Sequence, residues 1–234
     1  MPAKVYLIPT TLHDHEASLQ ALPAYLLPAI QDCQVFFVEN EKTTRRFFKK
    51  LWREMVINNY TWHTIHKAEN EVLQHFKTAL QHGKNIGIVS EAGCPGIADP
   101  GQILIAEAQQ HNATILPLVG PSSILLALMA SGLNGQQFQF LGYLPIDAAQ
   151  RKKAIKEAES YAHQKQCTQI CIETPYRNNA FLRDLLQQLQ PNTRVCIAAD
   201  LTAPTQYIVT KTVAAWRQTT LPELHKRPCI FLWL

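Results

Sequence analysis

With 234 residues and a 47% hydrophobic composition, the chain can bury an ordinary core as one large domain or two modest ones. Its formal charge of +4, from 22 basic and 18 acidic side chains, permits an anionic partner without demanding one. No apolar run approaches the roughly 18 to 20 residues of a spanning helix, and "MPAKVYLIPT" lacks a signal peptide's long apolar core, so a soluble, cytoplasmic protein with no membrane partner is expected.

"KVYLIPT" opens the chain as a buried strand, and the segment from Ser18 to Ile30 reads as a helix that begins again after Pro23 and tolerates Pro28 poorly. "QVFFVEN" is the second strand. Apolar residues at helical spacing (Phe47, Phe48, Leu51, Trp52, Met55) predict a helix over Thr43 to Met55, and core packing is the better reading of those aromatics than base stacking. "TWHTIH" is a short alternating strand, followed by a helix over Glu69 to Gln81. "KNIGIVS", a glycine-rich loop, a helix from about Gln102 to Gln110 and the strand "ATILPLV" keep strand and helix alternating, which predicts an α/β layer with a mainly parallel sheet. "GPSSILLALMAS" reads as a buried helix face. Glycine and asparagine in Gly132 to Gln137 mark a boundary near Asn134, giving an N-terminal α/β lobe over 1–134 and a C-terminal α/β lobe over 135–234. In the second lobe, "FQFLGYLP", "TQICIET", "TRVCIAAD", "TQYIVTKTV" and "RPCIFLWL" are strands, joined by a long polar helix and a helix over Asn178 to Leu189.

Six cysteines spread over a chain of this size read as free buried thiols, and no metal site is expected, since Cys167 and Cys171 lack a second pair at zinc spacing. In "HDHE" (His13 to Glu16), helix-start usage is favoured over a metal. The dense positive stretches "RRFFKKLWR" and "RKKAIK" read as wet helix faces.

The stretch "SEAGCPGIADPG" (Ser90 to Gly101) follows the strand "NIGIV" and sits where open α/β sheets bind ligands. It is neither a P-loop, which needs Gly-Lys followed by Ser or Thr, nor a G-x-G-x-x-G fingerprint. Glu91 and Asp99 flank it, and two carboxylates beside a polyphosphate would repel it. Such acids suit a ligand with hydroxyls and positive groups. S-adenosylmethionine meets that demand; a tight strand-to-helix turn with no ligand is the alternative.

In order and spacing, "IVSEAGCPGIADPG", "PLVGPSSILLALMASGLNG", "FLGYLP", "CIETPYRN" and "AADLT" resemble the tetrapyrrole methylase superfamily of S-adenosylmethionine-dependent methyltransferases. Within it, the chain is most similar to the small-subunit ribosomal RNA cytidine 2′-O-methyltransferases, with a loop similar to S-D-A-G-T-P-G-I-S-D-P-G. The resemblance runs from "YLIPT" to "RPCIFLWL" and implies a two-lobed fold, mainly parallel in the N-terminal sheet and mixed in the C-terminal one, a homodimer, and S-adenosylmethionine held in a cleft between lobes. Carried over by position, Gly93, Cys94, Pro95, Gly96 and Ile97 line the methionine and adenosine side, and Ser122 and Ser123 form the next contact. Ile172, Glu173, Thr174, Asp200, Leu201, Thr202 and Pro228 resemble the segments that hold adenine and ribose, while Pro9 lies where the family approaches its substrate cleft. The chain departs from those RNA enzymes at Cys94, where they show Thr, and in "IPTTLHD", "VENEKTTRR" and "IHKAEN" on the substrate side. It is also shorter at its C-terminus, and reads as a separate, shorter subgroup.

Methyl transfer to a hydroxyl is an in-line displacement that needs alignment, exclusion of water and a group to take the proton. Glu39 and Glu91, each following a strand at the expected cleft, are the candidate bases; bracing of their loops is the alternative, and His66 is a weaker candidate. Tyr176 and Arg177 either line the site or open the Asn178 helix. RNA, methylated at a ribose 2′-hydroxyl, is the first expectation for the acceptor. A small tetrapyrrole-like acid, or a non-catalytic S-adenosylmethionine-binding regulator, stands beside it.

Overall fold

A computed structural model describes residues 2–65 and 69–234, with backbone only at 69 and 70. His66 lies outside the described residues. The chain divides into two compact units, Met1–Ser122 and Ser123–Leu234.

In the first unit, β1 (Lys4–Ile8), β2 (Val35–Val38), β3 (Thr61–Thr64), β4 (Ile86–Val89) and β5 (Thr114–Pro117) form one sheet in the order β3-β2-β4-β1-β5. Every pairing in it is parallel. Parallel sheets are covered on both faces, so their strands read as unbroken apolar runs, as "VFFV" and "IGIV" do. The period of two sorts those runs between two cores. Val5, Val35, Phe37, Ile86 and Ile88 pack with Phe76 of α3 (Glu69–Gln81) and Leu104 of α4 (Gln102–Gln110). Tyr6, Ile8, Phe36 and Val38 pack with Leu26 and Ile30 of α1 (Leu26–Asp32) and Phe48 of α2 (Glu41–Leu51).

The bounds of α3 and α4 coincide with those read from periodicity. Two earlier stretches differ. Ser18 to Ile30 forms a 3-10 helix, Glu16–Ala21, and then α1, which accommodates Pro28 as its third residue. A helix's first turn has no intrahelical acceptor for its N–H groups, so proline's missing donor costs nothing there. The Thr43 to Met55 helix ends at Leu51; the chain then turns, with Met55 N–H donating to Trp52 O at 3.2 Å, and Met55 reaches the core from the turn. Phe48, Phe36 and Trp62 make a ring cluster, with Phe36 stacked on Trp62 at 4.9 Å, so these aromatics are core.

The second unit begins with α5 (Ser123–Ser131), earlier than the boundary expected near Asn134, because α5 packs on β8 (Arg194–Ala199), β9 (Tyr207–Thr212) and β10 (Cys229–Trp233). With β6 (Phe138–Tyr143) and β7 (Thr168–Ile172), these strands form a mixed sheet ordered β6-β7-β10-β8-β9. Only β6 and β7 pair in parallel; β10 runs antiparallel to β7 and β8, and β9 antiparallel to β8. One face packs its Cys171, Ile197 and Phe231 with α6 (Ala148–Lys165), α7 (Asn178–Gln188) and α8 (Val213–Arg217). Helix α5 is not buried all round. Ile124, Ala127 and Leu128 face inward, while Leu125 is 51% and Met129 80% exposed. A helix apolar on every side carries no moment to say which face is wet.

Candidate functional site

Because the first unit's strands are parallel, their carboxyl ends lie on one edge of the sheet, and the residues after β1, β2, β4 and β5 gather there. These are Pro9 and Thr10, Glu39 and Asn40, the Ser90 to Gly101 loop, and the stretch from Leu118 to Ser122. The connections after neighbouring strands β1 and β4 leave in opposite directions along the sheet, toward β2 and β5, which is where such folds bind ligands.

Backbone bonds tie these loops together. Thr10 N–H donates to Gly93 O at 2.9 Å, and Glu39 N–H to Val89 O at 3.1 Å. Glu91 N–H donates to Glu39 Oε2 at 2.8 Å, and Asn40 Nδ2 donates to Glu91 Oε1 at 3.3 Å. Both candidate bases therefore brace their loops in this state. The Cys94 thiol points to the carbonyls of Gly120 and Pro121, at 3.7 and 3.6 Å. Gly96 has φ +77°, the left-handed region that favours glycine; a Cβ there would stand 2.8 Å from Ile105 Cδ1, the movable end of a side chain, so conformation more than space calls for glycine. Pro95 is buried below the loop, whereas Ile97 is 55% exposed on it.

Asp99 joins the two glutamates. Burial pushes its carboxyl up to about 6; the Glu39 carboxylate adds to that shift, the Ser90 hydroxyl opposes it, and Glu91 adds a further repulsion. Sequence reasoning noted Asp99 only as an acid flanking the loop. Its tuning comes from burial and from side chains on two segments, Glu39 after β2 and the start of its own loop, and composition carries no trace of it.

The second unit builds its own edge. Since β10 is antiparallel to β7 and β8, its first residues lie beside the carboxyl ends of both: Ile230 opposite Ile172, Cys229 opposite Ala199. Ile172, Glu173 and Thr174, then Asp200, Leu201 and Thr202, then Pro228 meet there. Glu173 Oε1 accepts from Thr174 N (2.5 Å) and from Arg177 Nε (3.1 Å) and Nη2 (2.6 Å). Arg177 is the N-cap residue of α7, so it both opens that helix and holds the buried carboxylate. Asp200 accepts at Oδ2 from Arg227 Nε (2.7 Å) and Thr205 Oγ1 (2.9 Å), and its N–H donates to Pro228 O at 3.0 Å. Asp200 and Thr202 have φ +50° and +71°, a left-handed turn by residues other than glycine. The buried Thr202 Oγ1 has no hydrogen-bond partner among the described residues. An orphaned buried hydroxyl is costly and marks a place where a ligand can supply the missing bond.

Of the "HDHE" residues, His15 accepts from Ala17 N at 3.2 Å and caps the 3-10 helix, while Asp14 pairs with Lys50. Among the described residues no three His, Cys, Asp or Glu are grouped so as to hold a metal ion.

Residues 19–216 match the family model of tetrapyrrole (corrin/porphyrin) methylases. The chain is 30% identical over 198 residues to ribosomal RNA small subunit methyltransferase I of Vibrio cholerae serotype O1, covering 85% of this chain and 65% of that protein. It is 35% identical over 144 residues to the protein of that name in Synechocystis, covering 62% of this chain and 49% of the other. The chain thus spans less than two thirds of the length of these relatives. Among solved structures, the methyltransferase CobJ aligns with a TM-score of 0.61 at 16% identity, over 98% of this chain and 92% of that one. Uroporphyrin-III C-methyltransferase from Thermus thermophilus, complexed with S-adenosyl homocysteine, aligns with a TM-score of 0.57 at 13% identity, over 99% and 97%. At these identities the likeness is one of fold.

Proposed function

The chain belongs to the tetrapyrrole (corrin/porphyrin) methylase family, and from that premise we propose that it is an S-adenosylmethionine-dependent methyltransferase acting on RNA, ribosomal RNA at a ribose 2′-hydroxyl above all. The acceptor follows from the relatives in Vibrio and Synechocystis, which are ribosomal RNA small subunit methyltransferases by name. The single observation that best supports donor binding is the loop over 90–101, which combines a glycine cradle at Gly96 with the carboxylates of Glu39, Glu91 and Asp99 nearby. That set repels phosphate and suits a ligand carrying cationic centres and hydroxyls.

In this reading Gly93, Cys94, Pro95, Gly96, Ile97, Ser122 and Ser123 hold the methionine part of the donor. Ile172, Glu173, Thr174, Asp200, Leu201, Thr202 and Pro228 hold its nucleoside, and the orphaned Thr202 hydroxyl is satisfied by it. When bound, the donor supplies an electrophilic methyl group on a sulfonium. The protein aligns the acceptor oxygen, excludes water and receives the hydroxyl proton. Asp99, held near 6, is the carboxyl best tuned to take that proton at neutral pH, with Glu39 and Glu91 around it. The chain works as a homodimer in the cytoplasm in this reading.

Calorimetric titration with S-adenosylmethionine and S-adenosyl homocysteine tests it. Binding on the order of 8 kcal/mol, near micromolar, that Gly96→Trp and Ser122→Trp abolish is expected. No binding by the unmodified protein would overturn the donor assignment, and transfer to a tetrapyrrole in place of RNA would overturn the acceptor.

A further inference from the structure

At the carboxyl edge of the first unit's sheet lies a cavity of about 270 Å³, walled by the chain from Thr10 to His15, by Leu19, by one side of α2 and by Ser90 to Ala92. Its apolar lining comes from Leu12, Leu19, Phe47 and Ala92. Ser90, only 2% exposed, contributes a buried hydroxyl, the one that also meets Asp99. Two cations line the same cavity, Arg46 and Lys50. They are one helical turn apart, which places them on one face of α2.

Of the helix's other cations, Lys42 does not line the cavity, and Arg45 and Lys49 are committed elsewhere. Arg45 pairs with Glu41 and lies over the Trp62 ring at 5.0 Å. Lys49 Nζ donates to the carbonyls of Arg53 and Met55, at 2.6 and 2.7 Å, closing the turn after the helix. What remains at the cavity is Arg46 beside Lys50, and Lys50 is held by Asp14, an exposed carboxylate from the opposite wall. A dense positive stretch that reads in sequence as a wet helix face is therefore split by the fold into structural cations and a pair aimed at one recess.

We propose that this recess is the acceptor subsite: it takes one nucleoside of single-stranded RNA against Leu12, Leu19 and Phe47, with Arg46 and Lys50 clamping the adjoining phosphodiester and Asp14 occupying Lys50 until the strand displaces it. The inference rests on the RNA reading above. Its volume lies below the roughly 300 to 1,000 Å³ of pockets that enclose drug-sized ligands, which suits a single nucleoside better than a macrocycle. An apolar floor with a buried hydroxyl, under a rim that carries Arg46 and Lys50 as well as Asp14 and Glu91, suits a nucleotide whose base or sugar sits below and whose phosphodiester meets the two cations on the α2 side, away from the carboxylates' wall.

The test is binding of a fluorescein-labelled, unstructured RNA 12-mer across a salt series, by wild type and by Arg46→Gln, Lys50→Gln, the double variant, Asp14→Asn and, as a control, Lys153→Gln on α6, each also titrated with S-adenosylmethionine. The double variant should bind RNA at least about tenfold more weakly, with a salt slope smaller by about 1.4, as loss of two phosphate contacts to a single strand requires. Asp14→Asn should bind more tightly, an outcome that a merely structural Asp14–Lys50 pair would not produce. Lys153→Gln should match wild type, and all variants should keep donor binding. Unchanged RNA affinity in the double variant, while wild type binds both RNA and donor, overturns the subsite and leaves the RNA reading standing. Donor binding with no RNA binding by wild type overturns the RNA reading, and the subsite falls with it.

Discussion

Pro9 lies against Gly120 with no space for a side chain between them: a Cβ on Gly120 would stand 2.1 Å from Pro9 Cβ and 2.5 Å from its Cγ. The residue after β1 and the loop after β5 are thereby held in register, and the Gly120 and Pro121 carbonyls are presented to the Cys94 thiol. Gly120→Ala must push this edge apart. Overpacking of that kind costs about 1 to 3 kcal/mol, read as a lower urea midpoint at unchanged slope, and donor affinity should fall with it. A midpoint equal to wild type would show that the contact does not constrain the edge.

Asp99 gives the protein a pH signature. Its carboxyl titrates near 6 when folded, against 3.8 as the ordinary value, so between those pH values the folded state holds a proton that the unfolded state has released. This contribution to stability therefore falls as pH rises from about 4 to about 6, and is flat above. Asp99→Asn should remove the fall and be the more stable protein at pH 7, while methyl transfer slows and loses the acid-side limb near pH 6 that such a base imposes. Urea midpoints measured every half unit of pH check the first part, and single-turnover rates the second.

The Glu173 carboxylate is paired with Arg177, whose guanidinium remains partly open to water; their side chains are 4% and 36% exposed. Arg177→Ala leaves a buried carboxylate served only by Thr174 N–H. The loss should be about 1 to 3 kcal/mol, less than for a pair buried on both sides because solvent reaches the arginine. Adding Glu173→Gln to Arg177→Ala should restore part of it. If the single variant unfolds at the wild-type midpoint, the pair is not holding this turn.

Thiol titration under native conditions should find one slowly reacting cysteine of the six. Cys33, Cys167, Cys171, Cys196 and Cys229 are buried, and burial pushes the Cys229 thiol up to about 12, whereas Cys94 is half-buried, its thiol also raised by burial. S-adenosylmethionine should protect Cys94, and Cys94→Ala should abolish the native reaction. Rapid labelling of several thiols before unfolding would contradict the burial of these strands.

Much of this architecture was legible in the chain. The runs around Val35 to Val38 and Ile86 to Val89 are apolar at every position because the sheet is covered on both faces, and α3 and α4 show their bounds because one face of each is apolar. The ordered motifs from Ser90 to Thr202 carried the family. Local signals misled where two physical causes share one pattern. Pro28 in the first turn of α1 costs nothing, but nothing local marks where that turn begins. "ILLALMAS" is apolar at positions that prove buried and at positions, Leu125 and Met129, that prove exposed.

The sequence by itself determined the order and type of the elements and the loop that follows β4, because periodicity, glycine and proline act over a few neighbouring residues. Only the tertiary structure decided which charges are free to act. Arg45 and Lys49 are consumed while Arg46 and Lys50 face a cavity, and Asp99 becomes a proton-exchanging acid through Glu39, Ser90 and Glu91. Those outcomes depend on distances between segments far apart in the chain, and electrostatic energies are set by such distances and by burial, neither of which a local pattern encodes.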